Sequence, residues 1–186
     1  MATEISKRLF NVHEYHRMVD AGILHEDSRV ELIRGEILTM SPIGPPHNGA
    51  VIRATNKLVP NVDNRALVAI QGSTRLDEFD EPQPDVVLLR PKDDYYSSGH
   101  AGPADILLII EMADSSLEYD QTLKAELYAE TGVPEYWIAD IQNERLLAYG
   151  EVRDGKYDAC RVVNRGGTIA PKLLPDCQIA VDDLLP

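Results

Sequence analysis

Positive charge is scarce in this chain: 18 lysines and arginines stand against 31 aspartates and glutamates, a formal net charge of −13 over 186 residues. That deficit excludes simple electrostatic attraction to DNA, RNA or an anionic membrane, so any contact with nucleic acid has to be local or assisted by a metal ion. Cysteine is nearly missing too. Cys160 and Cys177 lack the C-x-x-C spacing of a zinc or redox site; they can pair or stay free, and the expectation is two small buried residues. No stretch approaches the ~18 apolar residues of a membrane span. "MATEISKRLF" has no apolar core to act as a signal, so a soluble protein of the reducing cytoplasm is expected. Internal repeats, low-complexity tracts and linkers are absent. So are G-x-S-x-G, P-loop and dinucleotide fingerprints, and His13, His16, His25 and His100 show no metal-ligand spacing.

What remains is a chain with 44% apolar residues, long enough for one hydrophobic core and short for two, so a single domain over residues 1–186 is expected. In "FNVHEYHRMVDAG" Asn11 is placed to cap a helix, Glu14 completes a capping box and Gly22 suits the stop. "RVELIRGEILTM" reads as two strands around Arg34-Gly35, with Val30, Leu32, Ile37 and Met40 among the residues packing inward. From Pro46 to Val62, Val51, Leu58 and Val62 recur at helical spacing, with Ile52 and Val59 on an adjacent arc.

"RALVAIQGSTRL" reads as an extended pair interrupted by Gly72, and Val86–Leu89 and Ile106–Ile110 are continuous apolar runs suited to strands covered on both faces. The segment between those runs, "RPKDDYYSSGHAGPAD", is a surface loop that covers a cleft if it folds back. A third helix over 118–131, ending at Gly132, lies before the strand in "VPEYWIAD", an order that suggests a crossover unit. Turn signals at "RDGK" and "NRGG" predict a C-terminal meander of short strands. The class is therefore α/β or α+β, a mixed central sheet with a few helices.

The chemistry starts at "EPQPDVVLLR", where Asp85 stands directly before one apolar run while Glu111 closes the other. If the two strands are antiparallel neighbours, both carboxylates reach the same sheet edge. Two such groups with water suit a hard cation such as Mg²⁺; the bland alternative is a strand cap and a solvated strand end. Lys124 lies inside the arc of Leu117, Leu127 and Tyr128 rather than on the polar face of its helix. Either its stem runs past the apolar face to water, or its ammonium meets a carboxylate at the sheet edge. Asp120, one turn earlier, offers an ordinary exposed pair instead. Glu31 and Glu36 flank the first hairpin, and His47 opens the second helix at "PPHNGA"; unaided, neither feature stands out.

Taken together, "VELIRGEILTMSPIGPPH", "PQPDVVLL" and "DILLIIEMADSSLEYDQTLKAELYAETGVPEYWIAD" resemble the "putative restriction endonuclease" family of bacterial proteins, a branch of the PD-(D/E)-x-K nuclease superfamily. The likeness runs from the first helix to Asp140. It implies a restriction-endonuclease-like mixed sheet flanked by helices, a metal site at one edge, a DNA substrate and a homodimer. By that resemblance Asp85, Glu111 and the Met112 carbonyl hold Mg²⁺ or Mn²⁺, Lys124 is the catalytic lysine, Glu31 is an outer acid, and His47 is an accessory residue. Two departures stand out. Ala113 occupies the place where the superfamily motif carries its lysine, which moves the cation to Lys124 on the helix, and "EMADSS" replaces the more usual "EVLSPS". Two other readings stay open: a non-catalytic module that keeps the fold, favoured by the acidic charge, and an acidic surface that recruits a basic protein partner.

Overall fold

A computed structural model describes residues 6–25 and 28–186. Helix α1, Val12–Asp20, begins at the expected capping box: Asn11 accepts a hydrogen bond from the Glu14 N–H at 2.8 Å, and the Glu14 carboxylate accepts one from the Asn11 N–H at 3.2 Å. Strands β1, Val30–Ile33, and β2, Glu36–Thr39, follow as an antiparallel hairpin. Its central residues Arg34 and Gly35 have φ of 51° and 73°, the left-handed values that a two-residue type I′ turn demands.

Side-chain alternation gives the hairpin two jobs. Val30, Leu32 and Ile37 pack beneath α1 with Val12 and Tyr15, whereas Ile33 and Leu38 face the central sheet. Glu31, two residues from Ile33, shares that sheet-facing side and is buried. Met40 departs from the inward packing expected of it: it is half-buried and lines a cleft.

Helix α2, Pro45–Val62, starts with proline in its first turn, where the ring's fixed φ suits the helix and no N–H is lost from the ladder. Ala50, Val51, Ala54, Leu58 and Val62 are buried. The expected second arc is not: Ile52 and Val59 are 54% and 51% exposed. The two alanines let the helix lie close to the sheet along a narrow stripe, and that stripe leaves Ile52 and Val59 at the solvent side.

The central sheet has six strands in the order β3-β4-β5-β6-β7-β8: Leu67–Ile70, Val86–Leu89, Ile106–Ala113, Glu135–Asp140, Arg145–Arg153 and Lys156–Asn164. All neighbours are antiparallel except β5 and β6, which run parallel. A parallel pair needs a crossover, and a helical one supplies it as expected: α3, Leu117–Tyr119, a π-helical turn over Asp120–Lys124, and α4, Ala125–Glu130. Among the described residues no helix is long and apolar enough to cross a membrane.

Three local expectations need correction. The predicted second half of "RALVAIQGSTRL" does not extend the sheet; Gln71, at φ 49°, turns the chain away, and Thr74 makes only an isolated bridge to Ala101. The C-terminal meander consists of two nine-residue strands, β7 and β8, joined at Asp154-Gly155, before a small separate pair, β9 (Thr168–Ile169) and β10 (Ile179–Ala180). Both cysteines are free, and Cys160 is exposed while Cys177 is buried. Cys160 sits on the last strand of the sheet, where Val163 is the one buried residue.

The sheet buries both faces. Val86, Leu88, Ile110, Met112, Trp137 and Ala139 pack on the side of α2, and Val87, Leu89, Ile109, Ala113, Tyr136 and Ile138 on the side of α4. By the same two-residue period, Asp85 and Glu111 belong to the α4 side. One glycine anchors the hairpin that brings Glu31 to this layer: a Cβ on Gly35 would sit 2.7 Å from the Leu9 Cβ and 3.2 Å from the Phe10 carbonyl oxygen. Gly35→Ala should therefore lower stability by at least the ~1–2 kcal/mol of a left-handed non-glycine residue, read as a reduced midpoint in urea denaturation.

Candidate functional site

Between the hairpin, the start of α2 and the crossover helix lies a cleft of about 480 Å³, lined among others by Glu31, Met40, His47, Asp85, Glu111 and Lys124. Register explains why distant residues meet there. The antiparallel pairing of Val86 with Ile110 and Val87 with Ile109 sets Asp85 opposite Glu111 at the same edge, on the same face. The Asp85 N–H donates to Glu111 Oε2 at 3.1 Å, and Asp85 Oδ2 accepts from the Met112 N–H at 2.9 Å. Each acid is thus fixed by the backbone that carries the other.

Lys124 reaches the pair from the π-helical turn. Its ammonium lies 2.8 Å from Glu111 Oε1 and 3.3 Å from Glu31 Oε2, with the side chain almost wholly buried. The snorkelling alternative is thereby excluded. The wide turn is held by the Asp120 carbonyl, which accepts from the Ala125 N–H and from the Tyr136 hydroxyl at 3.2 Å. Asp120 itself is buried and does not pair with Lys124; its carboxylate takes the Ser116 hydroxyl at 2.5 Å. The exposed Asp120–Lys124 pair is replaced because Glu111 and Glu31 stand nearer the ammonium.

His47, in the first turn of α2, contacts Asp85 Oδ1 through Nε2 at 2.9 Å. The remaining partners were invisible as functional groups in the sequence. Tyr128 donates to Glu111 Oε1 at 3.0 Å, Tyr119 to Glu31 Oε1 at 3.1 Å, and the Gln83 N–H to Glu31 Oε2 at 3.2 Å. Tyr128 reads as part of an apolar arc; its place one turn after Lys124 is the only signal of a second inward donor.

The electrostatics follow from crowding acids in a dry place. Burial pushes the Glu111 carboxyl up to about 8; Lys124 opposes the rise while Asp85 and Asp120 add to it. Asp120 is raised to about 6 by burial, with Asp85 and Glu31 adding to it against Lys124 and the Ser116 hydroxyl. Burial also acts on Asp85, but the His47 hydrogen bond and charge, the Met112 N–H and Lys124 outweigh it and hold the carboxyl below its usual range. The Asp85 hydrogen bond raises His47 against the effect of burial, and the Asp85 charge and the Met112 backbone contribute to the rise. Burial pulls the Lys124 ammonium down, yet Glu111, Glu31 and Asp120 together lift it well above the ordinary lysine value. Four carboxyl groups therefore crowd around one ammonium and one imidazole.

The mixed sheet thus gathers carboxyl groups beside one another, and the crossover helix delivers a lysine to them. The chain is similar in fold to a crystal structure described as "a putative nuclease belonging to DUF820" from Anabaena variabilis, with a TM-score of 0.68 over 90% of this chain and 96% of that one, at 13% sequence identity. The profile of the Uma2 family, described as "Putative restriction endonuclease", matches residues 12–182, and the chain belongs to that family. No curated protein matches it.

Removing the ammonium should expose how much the acids depend on it. Lys124→Met leaves Glu31 and Glu111 buried against one another and should cost about 3–5 kcal/mol in the metal-free protein. Tyr128→Phe should cost less, about 1–2 kcal/mol, because Lys124 still occupies the same oxygen. Urea denaturation of both variants checks the order.

Proposed function

We propose that the protein is a divalent-metal-dependent endonuclease that hydrolyses phosphodiester bonds in DNA, with Asp85, Glu111 and the Met112 carbonyl as ligands for Mg²⁺ or Mn²⁺. The observation that carries this reading is the surplus of carboxylates over cationic groups in one cleft: Glu31, Asp85, Glu111 and Asp120 are all buried beside a single lysine. The donor set fits the ion. It offers hard oxygens and no thiolate, which suits Mg²⁺ or Mn²⁺ and not a soft metal, and the upward pressure on Glu111 from Asp85 and Asp120 is relieved by added positive charge. When bound, such an ion polarises a phosphoryl oxygen and acidifies water.

The chain's own groups do the rest. Lys124, oriented by Glu111 and Glu31, directs its ammonium toward the scissile phosphate, positions the attacking water and stabilises the charge that grows on the phosphoryl oxygens. Glu31, fixed by Tyr119 and the Gln83 N–H, completes the surroundings through water. His47 holds the Asp85 carboxylate in register, and Asp120, anchored by Ser116, keeps the π-helical turn facing the cleft. Arg29, at the cleft wall, supplies a positive charge to a polyanion that the overall charge of −13 would otherwise repel. The setting proposed for it is a homodimer in the cytoplasm.

Purified protein should cut DNA with Mg²⁺ or Mn²⁺ and not with EDTA. Glu111→Gln and Lys124→Ala should each reduce cutting by at least ~100-fold, the scale of losing one preorganised transition-state donor. Calorimetry should find metal binding in the wild type and none in the cleft of Asp85→Asn. Cutting that survives both catalytic substitutions would reject the assignment.

A further inference from the structure

Outside the cleft, several buried acids are unused by the chemistry above, and Glu81 is the one that faces two imidazoles. Glu81 is 3% exposed, and both of its carboxylate oxygens lie 2.9 Å from His16 Nε2. Among the described residues no lysine or arginine pairs with it; His16 is its one ion-pair partner. A carboxylate removed from water needs a cation or a full set of donors, and an imidazole nitrogen equidistant from both oxygens supplies one proton at most. A second imidazole stands alongside: the His100 ring meets the His16 ring edge-on with centroids 5.8 Å apart. One ligand atom from each of His16, Glu81 and His100 lies within 4.8 Å of the other two. None of the three lines the cleft.

We propose that His16, Glu81 and His100 form a second metal site, distinct from the carboxylate cleft, that takes Zn²⁺ or a similar imidazole-preferring transition ion. Two imidazoles and one carboxylate are the ligand types that Zn²⁺, Ni²⁺ and Fe²⁺ choose over Mg²⁺. Zinc bonds of about 2.0–2.2 Å place neighbouring ligand atoms roughly 3.3 Å apart, close to the spacing that His16 and Glu81 already have. The exposed His100 has a ring nitrogen within 4.8 Å of the ligand atoms of His16 and Glu81, and closing that gap brings it to the ion. With three protein ligands the fourth position is open to water.

The backbone supports such a site. Glu81 is pinned to the hairpin by paired hydrogen bonds with Leu32, Glu81 N–H to Leu32 O at 2.8 Å and Leu32 N–H to Glu81 O at 3.3 Å. His16 is carried by a helix capped at its start, with Val12 and Tyr15 of the same helix buried. His100 precedes Ala101, whose carbonyl accepts the Arg75 N–H at 2.9 Å. An ion there ties three chain segments together on the run that leads into Asp85, so it acts as a structural clip on the segment that positions the cleft.

The test uses the full chain stripped of metal by a chelator. Titration with Zn²⁺ should give binding that persists in Asp85→Asn and Glu111→Gln. In His100→Ala it should weaken by more than the ~10–100-fold cost of losing an outer partner, and Zn²⁺ should raise the Tm of the wild type but not of that variant. Co²⁺ should give visible ligand-field bands in the wild type and in Glu111→Gln and lose them in His100→Ala and His16→Ala. His100 is exposed, so its removal leaves the fold intact, and a circular dichroism spectrum confirms that. Unchanged Zn²⁺ affinity and Co²⁺ bands in His100→Ala, no Zn²⁺ binding at all, or binding abolished by Asp85→Asn instead would overturn the proposal.

Discussion

One buried ammonium joins three parts of the chain that are far apart in sequence. Lys124 lies between Glu111 on β5 and Glu31 on β1, so the crossover helix, the central sheet and the amino-terminal hairpin meet at its buried ammonium. Bringing these charges out of water is costly, and the attraction between them offsets that cost only with close geometry and further hydrogen bonds. Tyr128, Tyr119 and the N–H groups of Asp85 and Gln83 provide those bonds. Among the described residues no buried side-chain nitrogen or oxygen is left without a partner. The cluster therefore has its buried polar atoms partnered while the carboxyl groups of Glu31, Asp85, Glu111 and Asp120 outnumber the cationic groups of Lys124 and His47.

The rest of the architecture serves to deliver these groups to one layer. On the α4 side of the sheet Ile109, Ala113 and Tyr136 are buried, and Asp85 and Glu111 lie in that same layer, Glu111 between Ile109 and Ala113. The hairpin covers it from outside through Ile33 and Leu38, and its other face is closed by α1. A site built at the margin of a core is anchored by packing on one side and open on the other. Rigid strands on the core side hold ligands in place more precisely than loops do.

Much of this was legible in the sequence, for reasons that are local. The capping box at Asn11 and Glu14 and the turn at Arg34-Gly35 each depend on a few adjacent residues whose backbone preferences are strong. The apolar runs after Asp85 and before Glu111 announced buried strands, and the position of Lys124 among Leu117, Leu127 and Tyr128 marked it as inward-facing. Spacing along the helix also allows an exposed pair of Asp120 with Lys124. Only the presence of two closer acids, brought from residues 31 and 111, excludes it. Met40, Ile52, Val59 and Cys160 carried apolar character without the neighbours that would bury them.

The histidines mark the boundary most clearly. Spacing along the chain gave His16 and His100 no relation to each other or to Glu81, since a helix, a bridge beside the hairpin and a long loop separate them in sequence; the fold alone sets them side by side. What the amino-acid order determined by itself was the set of elements, their faces and the inward turn of Lys124, because periodicity and turn chemistry act over a few residues. What the tertiary structure decided was which charges become neighbours and which apolar groups stay wet. Burial and Coulombic attraction depend on distances through space, and those exist only once the sheet, the hairpin and the crossover helix have packed.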